Sequence, residues 1–204
     1  MKKKLLVMLL SALVVLSIGQ AAFAGSKAGL SVGYVFGSGV DLIGFEVFGE
    51  YQFSKLFSLG GDMNMVFIGT SIVGSANLMG KFNIYGNSLF NVGALVNVTG
   101  NYDTWGAGGA FRFAELHLGP GIYGEVNLFG KLNISAAAKF TMLFVNFDSV
   151  TVDTNFVFRP TSIHLAVSYG ITDNIALGVK GLYSVNQAGG TKMYSVGVTA
   201  EYRF

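Results

Sequence analysis

Residues 192–204 read KMYSVGVTAEYRF, and apolar and polar side chains alternate along this stretch to its end. Successive side chains of a β-strand point to opposite faces, so a period of two predicts a strand. The even-numbered face is apolar from Tyr194 onward, whereas its odd-numbered face is polar. The apolar face comprises Tyr194, Val196, Val198, Ala200, Tyr202 and Phe204, and the polar face carries Ser195, Thr199, Glu201 and Arg203.

The same alternation recurs in nine earlier segments that are separated by turn residues. Ten such segments predict an all-β fold, a transmembrane antiparallel up-and-down β-barrel of ten strands. An eight-stranded barrel, in which two of the segments are loops, is the alternative. The segments are residues 27–37, 42–53, 57–67, 72–85, 89–99, 111–127, 131–144, 161–171, 175–185 and 192–204.

The connections between segments alternate in length. Longer links at residues 100–110, 145–160 and 186–191 contrast with four tight turns, as expected for barrels with short periplasmic turns and longer outer loops. In the sixth segment the alternation changes phase near Ala114, which predicts a β-bulge. Pro120 is expected to weaken the ladder there, because proline has no N–H to donate. The tight turns lie at Ser54-Lys55, Gly86-Asn87-Ser88, Phe129-Gly130 and Thr172-Asp173-Asn174.

The composition favours a barrel in lipid. Only 12% of the residues are charged, against about 25% in ordinary globular domains. Beyond residue 24 no stretch approaches the roughly 20 consecutive apolar residues that a membrane helix requires. The chain has no cysteine, which excludes a disulfide framework, a thiolate metal site and a lipidated N-terminal cysteine. We expect no cofactor.

The first 24 residues have the features of a cleaved signal peptide. Lys2, Lys3 and Lys4 form a positive region, an apolar stretch follows, and Ala22-Phe23-Ala24 gives the small-x-small cleavage pattern. We therefore expect export through the general secretory pathway and a mature barrel of residues 25–204. Removing the three lysines from the 13 basic residues leaves ten against 11 acidic ones, so nothing indicates a nucleic-acid partner.

The polar face is expected to line the lumen. It carries mostly Gly, Ser, Asn and Thr with few charges, whereas a water-exposed surface carries roughly 25–35% charged residues. The apolar face is uncharged through its middle, which suits lipid. Aromatic residues lie at both strand ends, as expected at the two bilayer interfaces. These are Tyr51, Phe53, Phe57, Phe82, Phe90, Tyr169, Tyr202 and Phe204 at the turn end, and Tyr34, Phe36, Phe67, Phe144, Tyr183 and Tyr194 at the loop end.

With its signal peptide, turn and loop pattern and terminal Phe204, the chain resembles the small outer-membrane β-barrel proteins of diderm bacteria. The resemblance covers the whole mature chain and is one of architecture. It implies a place in the outer membrane, with membrane lipid as a partner. It also implies that Tyr202 and Phe204 form the signal that the barrel-assembly machinery reads during biogenesis.

The inward charges are the most informative set of candidate site residues. Both signs occur in each of two layers, and buried charges require partners. One hypothesis is therefore an ion-pair network that fills the lumen, and the other is a narrow polar pore. We favour the filled lumen. The lower layer comprises Glu50, Lys81, Glu125, Glu201 and Arg203, and the higher one Glu46, Asp62, Lys139 and Lys180.

Catalysis is not favoured by the pattern. Ser162 and His164 share a face two residues apart, but they point inward, whereas the barrel lipid hydrolases work at the lipid-exposed surface. No Asp-x-Asp or Asp-x-His occurs, so the pattern of barrel proteases is missing. His117 and His164 are expected to join the network rather than hold a metal, because no third ligand has suitable spacing.

Two functional hypotheses follow, with an outer-membrane hydrolase as a distant third. The first is a structural envelope component with a polar, largely plugged lumen and at most small-solute leakage. The second is a recognition or adhesion protein that binds an unknown external ligand through outer loops. Tyr102, Trp105 and Phe147 are the candidate loop contacts, because they are aromatic residues in two of the longer links.

Overall fold

The computed structural model describes residues 26–37, 40–68, 71–105, 110–147, 153–185 and 192–204. The predicted signal peptide lies outside these residues and stays a prediction. Within the described ranges, no helix is long and apolar enough to cross a membrane.

The alternating segments fold as ten antiparallel strands that form one closed barrel. Each strand pairs with the next in sequence, and β1 pairs with β10 from Lys27 opposite Arg203 to Phe36 opposite Tyr194. Closure leaves no unpaired sheet edge. The ten-stranded prediction is confirmed, and the eight-stranded alternative is wrong. The strands are Lys27–Gly37 (β1), Val40–Gln52 (β2), Phe57–Ile68 (β3), Ser71–Gly86 (β4), Phe90–Trp105 (β5), Ala110–Leu128 (β6), Leu132–Asn146 (β7), Asp153–Gly170 (β8), Ile175–Val185 (β9) and Lys192–Arg203 (β10).

Strands β5, β6, β7 and β8 extend further toward the loop end than the sequence predicted. β5 continues to Trp105 and β6 begins at Ala110, and Asp103 pairs with Arg112 between them. The predicted link of residues 100–110 is therefore mostly strand. Its polar composition resembles that of a loop, but an antiparallel ladder continues wherever both backbones stay aligned. Similarly, β8 begins at Asp153, inside the predicted link of residues 145–160.

The predicted bulge in β6 is present. Asn101 of β5 pairs with Glu115, and the next residue, Tyr102, pairs with Phe113, so Ala114 is the extra residue. The ladder between β6 and β7 is interrupted between Leu118 and Gly121, the interval that contains Pro120. Both irregularities agree with the sequence prediction.

A bulge in β7 was not foreseen. In the ladder with β6, three residues of β7, 140–142, lie opposite the two residues of β6 between Leu118 and Gly121. As a result Phe144 turns into the lumen, where it is buried and its ring centroid lies 5.0 Å from that of His117. The prediction that Phe144 belongs to the loop-end aromatic girdle is therefore wrong. An extra residue in a strand inverts the facing of every residue beyond it.

Three of the four tight turns are held by a side-chain oxygen that accepts two backbone N–H groups. Ser54 Oγ accepts from Leu56 and Phe57, and Asn87 Oδ1 accepts from Leu89 and Phe90. Thr172 Oγ1 accepts from Asn174 and Ile175 in the β8–β9 turn. In the fourth turn, Phe129 and Gly130 adopt φ values of 55° and 68°.

The apolar face of the barrel points outward. Val198 is 64% exposed and Ile43 60%, whereas the inward Glu46 is 7% exposed and Lys139 4%. Aromatic rings contact one another at both ends of this outer face. Tyr51, Phe53, Phe57 and Phe82 form a chain at the turn end, and Tyr34, Phe36, Tyr194 and Tyr183 form one at the loop end.

Candidate functional site in the barrel lumen

At the turn end of the lumen, Lys81 joins two acids from different strands. Its Nζ lies 2.7 Å from Glu50 Oε2 and 3.5 Å from Glu125 Oε1. Glu50 also accepts a 2.6 Å hydrogen bond from Ser58 Oγ and lies 3.8 Å from Lys27 Nζ. The sequence reasoning missed Lys27. The sequence feature that could have identified Lys27 is its place at the start of β1, on the face that it shares with Gly29 and Ser31.

A second group at the same end ties β8 to β10. Arg203 Nε donates to Glu201 Oε1 at 2.8 Å, and Nη2 of the same guanidinium contacts that oxygen. Arg203 Nη2 also donates to Ser168 Oγ at 3.1 Å, and Ser168 in turn donates to Glu201 at 3.2 Å. Each polar group therefore has a partner, as buried charges require. We call these residues, with Lys27, Glu50, Lys81 and Glu125, the turn-end cluster.

Two ion pairs cross the middle of the lumen. Lys180 Nζ on β9 contacts Glu46 Oε1 on β2, with β10 and β1 between those strands. Lys139 Nζ on β7 lies 3.9 Å from Asp62 Oδ2 on β3, with three strands between them. These pairs, the mid-barrel pairs hereafter, therefore connect strands that are three and four positions apart around the barrel rather than neighbouring strands.

Amide and hydroxyl groups complete the surroundings of Asp62. Its Oδ1 accepts from Asn64 at 3.0 Å, and its Oδ2 accepts from Asn77 at 2.9 Å. Thr99 donates to the Asn77 side-chain oxygen at 2.9 Å. The network thus continues from β3 across β4 to β5.

Nearer the loop end, Glu115 and His117 form an outer cluster. His117 Nε2 lies 3.2 Å from Glu115 Oε2, and Asn101 Nδ2 donates to the same oxygen at 2.8 Å. Thr141 Oγ1 lies 3.4 Å from His117 Nδ1. The sequence reasoning missed Glu115. The bulge at Ala114 was the available signal, because it returns Glu115 to the inward face of His117.

The two histidines belong to different groups. His164 Nε2 lies 3.0 Å from Ser162 Oγ, as the shared face predicted, and His117 lies in the outer cluster. Within the described part of the chain, no carboxylate hydrogen bond to His164 completes a triad. Within the same residues, no group of three or more His, Cys, Asp or Glu side chains could hold a metal ion.

A cavity of about 480 Å³ occupies the loop-end half of the lumen. Its lining includes Asp62, Lys139 and His164 at mid-barrel level, and Glu115 and His117 above them. Inward apolar side chains from β1, β2, β3, β4, β9 and β10 also line it, and the sequence reasoning missed these. The available signal was the loss of alternation at the loop-end strand termini, as in the run of four apolar residues from Met65 to Ile68.

The structure places the three candidate loop contacts in different surroundings. Tyr102 was expected in an outer loop, but it lies within β5, its side chain is 2% exposed, and its hydroxyl donates to the Asn64 carbonyl at 2.8 Å. That expectation is wrong for Tyr102. Trp105 is the last residue of β5, and its side chain lies outside the described atoms. Phe147 follows β7 and is 45% exposed.

The C-terminal residues complete the closure of the barrel. Phe204 N donates to the Ser26 carbonyl at 3.0 Å, and the ring centroids of Tyr202 and Phe204 lie 4.9 Å apart. Tyr202 is 42% exposed on the outer face. Their role as an assembly signal stays a prediction.

No protein-family model matches the chain, and no curated protein matches its sequence. The chain is similar to solved structures of outer-membrane β-barrel proteins. The Neisserial surface protein A structure shares 12% identity over 88% of this chain and 96% of that chain, with a TM-score of 0.43. The NanC porin structure shares 11% identity over 87% of this chain and 100% of that chain, with a TM-score of 0.45.

The outer membrane phospholipase A structure from Escherichia coli shares 10% identity over 93% of this chain and 97% of that chain, with a TM-score of 0.41. Identities and TM-scores this low identify neither a family nor a function, so function has to be argued from the residues of this chain.

Proposed function

We propose that this protein is an integral outer-membrane barrel that serves as a structural component of the envelope. Its lumen is closed by ion pairs and allows at most leakage of small solutes. The observation that carries this proposal is that the mid-barrel pairs cross the lumen between strands that are not neighbours, Lys180 to Glu46 and Lys139 to Asp62.

The membrane location is supported by the outward face. Large apolar side chains such as Val198 and Ile43 are exposed around the barrel, and aromatic contacts occur at both of its ends. In water, exposure of this apolar surface would cost roughly 25 cal/mol of free energy for each Å². A bilayer removes that cost, and two aromatic girdles match its two interfaces.

The plug is supported by two levels of polar contact along the axis. The turn-end cluster lies below the mid-barrel pairs, and the amides around Asp62 fill the space beside them. In barrels of about eight strands the side chains just fill the interior, and ten strands leave slightly more room. Paired charges and amides that contact one another at these levels narrow that room, which supports a closed lumen.

The test is conductance together with stability of the Lys139→Ala, Lys180→Ala double variant. Removing both lysines leaves Glu46 and Asp62 without their cationic partners, and breaking a buried pair costs about 3–5 kcal/mol. We expect no steady single-channel current from wild-type protein in a planar bilayer. For the double variant we expect a lower free energy of unfolding and a cation-favouring leak.

The matched control replaces two exposed turn lysines, Lys55 and Lys131, with alanine. This variant loses the same charge and should match the wild type in both measurements. Steady wild-type currents together with unchanged stability of the Lys139→Ala, Lys180→Ala variant would contradict the plug, because water would then already solvate the acids.

Surface recognition through the outer end stays a second candidate. Strands β5 to β8 contain 16, 19, 15 and 18 residues, whereas a membrane-spanning strand requires roughly 9–11. These four strands therefore extend beyond the apolar band on the loop side. A raised wall of this kind supports exposure of the outer loops to molecules at the cell surface.

A further inference from the structure

The cavity in the loop-end half of the lumen, the outer cavity hereafter, has two chemically different walls. Its apolar side chains come from β9, β10 and β1 to β4, which lie side by side around the barrel. Its polar side chains come from β5 to β8, from Asp62, Asn64, Ser75 and Asn77 on β3 and β4, and from Ser184 and Ser195 on β9 and β10. The polar wall includes Asn101, Glu115, His117, Lys139, Ser162 and His164, and the apolar wall includes Val35, Leu42, Val66, Val73, Leu182 and Met193.

The apolar wall is unusual for its position. The rest of the inward face carries mainly polar residues and ion pairs, and its large apolar or aromatic side chains, such as Leu95, Tyr123 and Phe144, are buried. Neither the turn-end cluster nor the mid-barrel pairs involve the side chains of the apolar wall. Val73 remains 38% exposed within the described structure, and Ile68, two residues beyond its cross-strand partner Val66, is 47% exposed. Apolar surface left exposed inside a lumen lowers stability unless something covers it, so contiguous apolar lining indicates a ligand.

The charges of the polar wall are already compensated. Asp62 accepts hydrogen bonds from Asn64 and Asn77 and faces Lys139, while Glu115 accepts from Asn101 and contacts His117. A charged ligand group would therefore be desolvated without a free counter-ion. A neutral hydroxyl-bearing group could instead exchange hydrogen bonds with side chains such as Ser162 and His164, which contact each other at 3.0 Å.

The size of the cavity suits a small molecule. Its volume of about 480 Å³ falls within the roughly 300–1,000 Å³ of small-molecule sites. The Lys139–Asp62 pair lies at its base. A ligand would therefore occupy the outer half of the lumen without passing through it.

We propose that the outer cavity binds a small single-chain amphiphile with an uncharged, hydroxyl-rich head group, such as a short alkyl glycoside. The hydrocarbon chain lies against Val35, Leu42, Val66, Val73, Leu182 and Met193, and the head group meets the polar wall. This binding role goes beyond the structural role proposed for the plug and does not require conduction.

The experiment measures binding of hexyl β-D-glucoside by calorimetry to wild-type protein in lipid nanodiscs, with empty nanodiscs as the blank. Val66 and Val73 are cross-strand partners in the apolar wall, so the test variant replaces both with serine. Val32 and Val198 are cross-strand partners on the outward face, and Val32→Ser with Val198→Ser is the matched control. Leu182→Ser is a second cavity variant, in case the double variant does not fold.

We expect saturable binding to wild type and to the control, and binding about tenfold or more weaker in the cavity variants. Glucose, which lacks the chain, and hexyl sulfate, which carries a charged head, should bind far more weakly than the glucoside. No saturable wild-type binding, equal binding by folded cavity variants, or equal binding of glucose or hexyl sulfate would overturn the proposal. A conducting wild-type barrel would overturn the plug and leave this binding result standing.

Discussion

Asn97 lies on the inward face of β5, which it shares with Thr99 and Asn101. Its side chain is 1% exposed, and neither its amide nitrogen nor its oxygen has a hydrogen-bond partner among the described residues. A buried polar group without a partner costs about 1–3 kcal/mol. At the scale of single residues, Asn97 is thus a point of weakness in a lumen whose other buried amides are bonded.

Replacing Asn97 with leucine is expected to raise the free energy of unfolding by about 1 kcal/mol, because the unpaired amide is removed at similar volume. Asn77→Leu is the control. Asn77 donates to Asp62 and accepts from Thr99, so its loss should lower stability. Denaturant unfolding in lipid vesicles measures both variants. A loss of stability in Asn97→Leu as large as that of Asn77→Leu would contradict the expectation.

At the scale of elements, β10 has two separable roles. It closes the barrel by pairing with both β1 and β9, and its end is expected to be read by the assembly machinery. Phe204 contributes a single backbone hydrogen bond, to Ser26, at the edge of the ladder. Its removal therefore changes the folded barrel little, so an effect in cells would come from assembly.

Deleting Phe204 is expected to lower the amount of assembled barrel in the outer membrane several-fold, while refolding of purified protein into vesicles stays nearly normal. Quantifying the folded species in outer-membrane fractions and in the refolding reaction checks this difference. Phe53→Ala is the control, because Phe53 is a turn-end aromatic, 50% exposed, that is far from the C-terminus in sequence. Normal assembly without Phe204 would remove its role as a signal.

At the scale of the whole molecule, closure determines stability. Every strand has hydrogen-bonded neighbours on both sides, and the β1–β10 seam is paired along ten positions. A barrel without edges gives detergent no strand from which to begin unpairing. The mid-barrel pairs add contacts across the lumen between strands that are not neighbours.

We therefore expect heat-modifiable migration on a denaturing gel. Unboiled protein should migrate as a compact folded species and boiled protein as the extended chain, because detergent alone leaves the closed ladder intact. Far-ultraviolet circular dichroism of the unboiled sample should show β-structure. Identical migration before and after boiling, with a helical spectrum, would contradict the barrel.

The sequence by itself determined the strands, their number and the direction of each face, because a period of two is a local property. In β1 and β9 the predicted and observed bounds coincide. The bulge at Ala114 was visible for the same reason, since the apolar residues change from odd-numbered to even-numbered positions there. The inward placement of residues such as Lys139 and Glu46 followed directly from their positions on the polar face of the alternating pattern.

Only the tertiary structure decided which inward residues meet. Lys180 and Glu46 are 134 positions apart, and their contact depends on the register of every strand between them around the ring. The inward turn of Phe144 depends on a bulge against β6, and the burial of Tyr102 depends on its reach to Asn64 on β3. The two walls of the outer cavity likewise arise because closure brings β9 and β10 beside β1, which no local pattern in the sequence specifies.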